Sequence, residues 1–498
     1  MQPSPRQAKR SEEEVFAELA ALCTSPGYAH ALAYICHRDN FVMYEAEMKA
    51  EDMRKLFARE RLIRTEITTL IGLMVRRNIN LNLPEPAVMQ EYIDRTGYLM
   101  EELHAAIGMP IAASIKAVVA GQSDSAPPHG AFLREPIFYS GESAYAFQYR
   151  DFSPEKYGKD DDWLRRKMGF GIQGATAVVR AMGDRQNVNV IAAHKAMPPD
   201  DPASWTILPG FYLSADELAI ASGVTLEETR AVLDAFTLRS QNTEFTSASA
   251  FNAVAATPLI PAPDGRVLLL QYYSIVEALY ESPFYWMGAD ESYKATAFKN
   301  RGEFTESFVA RRLVKVFGTA NVRSNIDIFQ GKSKAGEIDV LVNFGDRLII
   351  VQAKSKRLTL EARKGNDGQI KSDFQKAITD SYEQGLSCAR RLLAGDCVLR
   401  DAQGTEIILP LRPKEIFILN VVSDHYPALS FQASQFLKYE VSDDIRPPFV
   451  MDVFLLDAMT EMLETPLRLL SYINQRVLQA DKLHLAHELV ALSFHLKE

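Results

Sequence analysis

The sequence predicts an α/β domain, a mixed central sheet flanked by helices, at about residues 296–430. It would lie between a large, mainly α-helical N-terminal region and a helical C-terminal region. Three observations lead there. Apolar residues recur at helical spacing from Ser11 to about Val119; from Glu303 the pattern becomes helix, strands, hairpin, helix and strand; after Pro427 helical periodicity returns. At 498 residues the chain exceeds what one hydrophobic core supports. Its breaks divide it into 1–120, 130–290, 296–430 and 440–498.

Each element has a local reason. Ser11 followed by Glu12, Glu13 and Glu14 starts a helix, with a hydroxyl to cap and acids at the positive end of the dipole. Residues 121–130, GQSDSAPPHG, read as a linker, and MPPDDPAS at 197–204 as a second break. Two short helical patterns within 211–236 meet at Gly223-Val224, with Ser214 and Thr225 as N-caps and Leu218, Ala219, Val232 and Leu233 as core. That is helix-turn-helix spacing. Glu227 and Glu228 open its second helix and would repel phosphate, so packing or protein binding is expected rather than base reading. Ile416–Val422 reads as a strand, and FVMDVFLLDAMTEML and PLRLLSYINQRVL as helices.

Composition narrows the function classes. With 47% hydrophobic and 24% charged residues the chain reads as globular. It has no apolar run of about 18 residues to cross a membrane. The polar start MQPSPRQAKRSEEEVF does not resemble a secretory signal, and a cytoplasmic location is expected. Cys23, Cys36, Cys388 and Cys397 share no C-x-x-C spacing and read as reduced thiols. Lys and Arg number 55 against 64 Asp and Glu, a net charge of −9 that does not advertise a nucleic-acid binder. The exception is local. Between Gln352 and Lys376 seven basic residues outnumber three acidic ones, and Lys356, Arg357, Arg363 and Lys364 become candidates for binding phosphate. A solvated loop and helix face is the plain alternative.

Two motifs mislead. Gly169-Phe170-Gly171-Ile172-Gln173-Gly174 is a literal G-x-G-x-x-G, but a charged segment stands where the dinucleotide fingerprint needs a buried strand. His484 and His487 lie one helical turn apart beside Glu488, without the spacing of a zinc protease. A surface or packing role is expected there.

The informative segment runs from Gly336 to Lys356. The β-branched runs Ile338–Val342 and Leu348–Val351 flank a turn-rich NFGDR, which makes a hairpin. A four-residue loop, Phe344–Arg347, would pair Asn343 with Leu348 and set Asp339 opposite Gln352 and Glu337 opposite Lys354. A carboxylate between Ile338 and Val340 costs several kcal/mol unless something compensates it. A strand end emerging into solvent accounts for Lys356 and Arg357, but not for Asp339. A divalent cation would compensate that carboxylate, and its oxygen donors suit Mg2+. On the preceding helix, Glu306 shares a stripe with Val309, Leu313 and Phe317, so a third candidate faces the sheet. Glu303 lies at the stripe's edge.

Helix-borne Glu306, then G-E-I-D ending at Asp339, then Q-A-K ending at Lys354 resembles the PD-(D/E)XK nuclease superfamily, in its restriction-endonuclease-like branch with a Q-x-K variant. The resemblance covers roughly residues 300–395. It implies a metal-dependent endonuclease cleaving phosphodiesters, with Mg2+ as cofactor and Mn2+ as a substitute. Asp339, Gln352, Lys354 and Glu306 match its catalytic positions; Asp339, Gln352, the Ala353 carbonyl and Glu306 match its metal ligands. Glu337 replaces the motif's proline, and Gln352 replaces an acid. DNA is the expected partner, in restriction or anti-phage defence by analogy. A protein partner or a second copy of the chain would engage the helical regions, and no membrane is involved. The competing expectation is a catalytically weak or inactive nuclease-like module that binds nucleic acid or assembles under a partner's control.

Overall fold

The computed structural model describes residues 10–42, 47–55, 60–119, 144–355, 374–409, 411–425, 428–440, 442–480 and 487–497, with a few single residues and pairs between them. The linker-like residues 121–130, the four basic candidates Lys356, Arg357, Arg363 and Lys364, and His484 lie outside the described residues. By its internal packing the chain forms two compact units, 1–127 with 146–290 and 128–145 with 291–498. The regions expected separately at 1–120 and 130–290 fall together in the first unit, apart from residues 130–145, which go with the second. Residues 440–498 belong with the sheet in the second.

The first unit is built mainly of helices. They are α1 (Glu12–Cys23), α2 (Tyr28–Asn40), α3 (Ala50–Arg54), α4 (Arg64–Met74), α5 (Pro86–Val119), α6 (Ala146–Tyr157), α7 (Asp161–Met168), α8 (Ile172–Lys195), α9 (Ala215–Ser222), α10 (Leu226–Phe236) and α11 (Tyr272–Gly288). Ser11 and Glu14 close a reciprocal capping box on α1. Ser214 and Thr225 cap α9 and α10, and Gly223 turns between them at φ 70°. Leu218, Val232 and Leu233 are buried there, while Ala219 is only half-buried. Three short strands, β1 (Tyr212–Leu213), β2 (Ile260–Pro261) and β3 (Val267–Leu268), form a small antiparallel sheet in the order β1-β3-β2. The helical reading of this region does not include them, because two-residue strands carry no periodicity of their own.

The G-x-G-x-x-G segment joins α7 to α8, with helix rather than strand before it. Gly171 N donates to Glu228 Oε1 at 2.9 Å. A Cβ on Gly174 would stand 2.3 Å from that same oxygen. These glycines let α8 approach the acid that opens α10; they form no phosphate cradle.

In the second unit, α12 (Lys294–Phe317) precedes β4 (Val322–Gln330), β5 (Ser333–Phe344) and β6 (Arg347–Lys354). A π-helical turn at Gln375–Thr379 leads into α13 (Asp380–Ala394), followed by β7 (Val398–Arg400), β8 (Glu406–Ile407) and β9 (Glu415–Val422). Then come α14 (Leu429–Phe436), β10 (Phe449–Asp452), α15 (Val453–Met462), α16 (Pro466–Leu478) and α17 (Glu488–His495). The sheet has seven strands in the order β10-β9-β6-β5-β4-β7-β8. Pairing is parallel between β6, β9 and β10 and antiparallel elsewhere, so the sheet is mixed as expected.

Alternation along the strands assigns each face. Leu341, Leu348, Ile350, Ile416 and Ile418 join Ile378, Tyr382, Leu386 and Ala389 in one core under α13. The alternate residues Val340, Val342, Ile349 and Val351 are equally buried, on the face covered by Phe308, Val309, Leu313 and Phe317 of α12. Segment 449–463 is not one helix. Phe449–Asp452 pairs with β9 as a strand, and Asp452 then caps α15 by accepting from Leu455 N at 2.8 Å. Pairing in the sheet overrides the helical reading of that run. His487 caps α17 through Leu489 N, and Glu488 is buried against Arg476 and Tyr472, so these two residues serve capping and packing.

Candidate active site at a split in the sheet

The hairpin between β5 and β6 turns on Gly345-Asp346, with Gly345 at φ 65° and Phe344 paired to Arg347. A glycine first in a two-residue turn matches the natural twist of the strands. The loop is two residues, not four, yet Asn343 still pairs with Leu348. Following that register would place Asp339 opposite Gln352 and Glu337 opposite Lys354, but the paired register ends at Val340 and Val351. Beyond it β5 continues with β4, while β6 stays with β9 through Lys354 and Val422. The two strands part at Asp339.

Asp339 fills the fork. It is 6% exposed, and its Oδ2 accepts from Ala353 N at 2.7 Å, a backbone donor released where the ladder stops. Lys354 O accepts from Ser423 N on the β9 side at 3.1 Å. Neighbouring peptides in a strand point opposite ways, so the Ala353 carbonyl is directed into the fork beside its own N–H. Regular alternation along β5 also slips here. Ile338 and Leu341, three apart, both enter the α13-side core. Asn325, opposite Asp339 on β4, takes φ 53°, a conformation that asparagine tolerates better than most residues.

Gln352 and Lys354 turn toward α13. Gln352 is fully buried; its Nε2 donates to Glu337 O at 2.8 Å, and its Oε1 has no hydrogen-bond partner among the described residues. Lys354 Nζ donates to Gln384 Oε1 at 3.1 Å, and Gln384 Nε2 returns to Glu337 O at 3.3 Å. Cys388 Sγ donates to the same carbonyl at 3.4 Å, and burial pushes its thiol up to about 11, so it stays protonated. The Glu337 carboxylate is tied to Lys334 at 2.8 Å. Gly385 is required for this approach: a Cβ there would lie 2.8 Å from Ile418 Cγ2.

Glu306 reaches the same place from α12, half-buried, with no ion pair or hydrogen bond among the described residues. Burial pushes its carboxyl up to about 7, and the charges of Asp339 and Glu337 add to the effect while Lys354 opposes it. Burial also raises Asp339, against the Ala353 hydrogen bond and Lys354. Two carboxyls thus stand near one lysine without full compensation.

Three residues of this site carry no signal in the strand motif: Gln384, Ser381 and Asn420. Asn420 is the register neighbour of Gln352 on β9. It donates from Nδ2 to Ser381 Oγ at 2.7 Å, and its Oδ1 is buried without a hydrogen-bond partner among the described residues. Ser381, Gln384 and Cys388 follow each other at i, i+3 and i+7 on α13, a polar interruption of its apolar face that could have pointed to them.

The donor chemistry fits a hard divalent cation: buried amide oxygens without donors, an inward carbonyl and under-compensated carboxyls. Carboxylates alone do not make such a site. Among the described residues no three His, Cys, Asp or Glu side chains converge so as to hold a metal. Among them, too, no helix is long and apolar enough to cross a membrane. No family model matches the chain, and neither a curated protein nor a solved structure matches it.

Proposed function

We propose that the chain is a metal-dependent nuclease that hydrolyses phosphodiester bonds, with DNA as the favoured substrate. One observation carries the reading. Where β5 parts from β6, a buried carboxylate, a buried amide oxygen without a donor among the described residues and a lysine come from adjacent strands, beside the under-compensated Glu306. Asp339, Gln352 Oε1, the Ala353 carbonyl and Glu306 are the oxygens that would hold Mg2+ or Mn2+. Such an ion, when bound, supplies Lewis acidity at a non-bridging phosphate oxygen and a more acidic water. Lys354, steadied by Gln384, would orient the attacking water and offset charge gathering on the phosphoryl oxygens. Without a cation, burial raises the Glu306 carboxyl, and a bound ion would favour its ionised form and so offset that cost.

A second reading is an inactive module that binds nucleic acid or assembles under a protein partner, and the missing third acid favours it. Plasmid, linear DNA and RNA incubated with Mg2+, with Mn2+ or with EDTA separate the two. Cleavage of DNA that EDTA abolishes is the expected result; binding without cleavage in either metal would establish the inactive module. Lys356, Arg357, Arg363 and Lys364 extend the proposal to the phosphate backbone. Neutralising them should flatten the slope of log K against log salt by about 0.9 for each duplex phosphate they no longer neutralise. A role in restriction or phage defence rests on superfamily analogy alone.

A further inference from the structure

The first unit holds a cavity of about 780 Å3, within the range of small-molecule sites, between α2, the start of α5, the end of α8 and the loop before β1. Its chemistry is unlike that of the chain as a whole. Arg38, Lys55, Arg61, His37 and His194 line it, and no Asp or Glu is among its described lining residues, although the chain carries a net charge of −9. Among its walls are two large aromatic rings left open to solvent, Tyr34 at 40% and Trp205 at 42% exposure.

These groups are held in place. Trp205 Nε1 donates to Pro198 O at 2.6 Å, which anchors one edge of the indole. Buried His30 bridges Thr206 Oγ1 at 2.6 Å and Leu81 O at 2.9 Å, so the loop carrying Trp205 is pinned to α2. Arg38 grips the buried Asp39 with Nε and Nη2 at 2.6 and 2.7 Å, which neutralises that carboxylate and leaves Nη1 outside the pair. Arg61 reaches the Asp39 and Phe41 carbonyls with Nη1 alone. His37 and His194 stack with ring centroids 6.1 Å apart on the same wall.

We infer that this cavity binds a nucleoside phosphate of one or two units, its base on Tyr34 or Trp205 and its phosphates among Arg38, Lys55 and Arg61. Permanent cations suit phosphate, exposed aromatic faces suit a base, and the volume suits both together. The inference does not rest on the nuclease reading, since every residue named belongs to the first unit.

Calorimetric titration of the full chain in EDTA tests it, using ATP, GTP and the dinucleotide pApA, with adenosine and inorganic pyrophosphate as half-ligands. At least one phosphorylated nucleotide should bind saturably, and each half-ligand at least about tenfold more weakly. Trp205→Ala should weaken binding about tenfold, and Lys55→Gln by less. Both positions are exposed, and an unchanged circular dichroism spectrum checks that the variants fold. No saturable binding, equal binding by pyrophosphate alone, or unaltered affinity in both variants overturns the proposal. So does saturable binding of a single-stranded oligonucleotide with every nucleotide and dinucleotide silent, which would make the cavity a strand site.

Discussion

The fork between β5 and β6 and the cavity beside α2 gather opposite kinds of charge. In the fork, carboxyls, a carbonyl and amide oxygens outnumber a single lysine. In the cavity, Arg38, Lys55, Arg61 and two imidazoles line the wall, with Asp39 and Asp52 paired to Arg38 and Lys55 from outside the described lining. Burial raises the carboxyls of Glu306 and Asp339 at the fork and lowers the imidazole of His37 at the cavity, so in each place burial opposes the charge that a ligand of opposite sign would favour. A chain-wide charge of −9 hides both. Local sign, rather than the sum, identifies what each unit receives.

The largest effect that would break this contrast is on cleavage. Asp339→Asn should reduce cleavage to background, and Lys354→Ala should cost at least about 10²–10³-fold. Asparagine can still accept from Ala353 N while shedding a buried charge, so the melting temperature of Asp339→Asn should hold or rise. Near-parental rates in either variant, in a gel assay with Mg2+, would remove the fork from the chemistry.

Gln352→Glu is next. It replaces the nearest of three donors to Glu337 O with a carboxylate in a fully buried position. Metal-free protein should therefore melt several degrees lower, and added Mg2+ should restore more of that loss than it adds to the parent. Equal Mg2+ shifts in both proteins would mean that position 352 is not a ligand.

Gly385→Ala follows, at about 1–3 kcal/mol of destabilisation from overpacking against Ile418. By pushing α13 from the sheet it should also loosen the Gln384 hold on Lys354 and slow cleavage modestly. Chemical denaturation gives the first number and a rate assay the second; unchanged values in both would show that α13 has room to shift.

The smallest effect separates the units by pH in EDTA. Glu306 has a folded value near 7, above its ordinary one, so the folded state binds the extra proton and α12 should gain stability as pH falls from 7 toward 4.5. Burial lowers His30, so there the unfolded state binds the extra proton and α2 should lose stability as pH falls below about 6.5. Hydrogen-exchange protection of the two helices, corrected for intrinsic rates, should move in opposite directions between about pH 7.5 and 5.5. Parallel movement would refute the contrast.

Much of the fork was legible because its residues sit close in sequence. Asp339 interrupts a β-branched run, Glu306 interrupts a helical stripe, and the glycine turn sets the register within one hairpin. What could not be read was that β5 abandons β6 at Asp339; that depends on β4 and β9 competing for the two strands, long-range pairings without a local mark. Phe449–Asp452 is similar, since an unbroken apolar run suits strand or helix until β9 takes it. The cavity was illegible altogether. Tyr34, Arg61 and Trp205 are ordinary in their own segments, and packing alone makes them neighbours.

Trp205 also has an optical consequence. The chain has three tryptophans. Trp163 is 4% exposed, with its indole N–H bonded to Asp290, and Trp286 is half-buried between Phe170 and Phe236. Only Trp205 stands open, so its emission should lie to the red of the other two and carry most of the quenching by iodide. The anionic quencher would itself be concentrated by the surrounding cations, and an occupant of the cavity would shield the ring from it. The molecule thus carries a fluorescent gauge of its own occupancy.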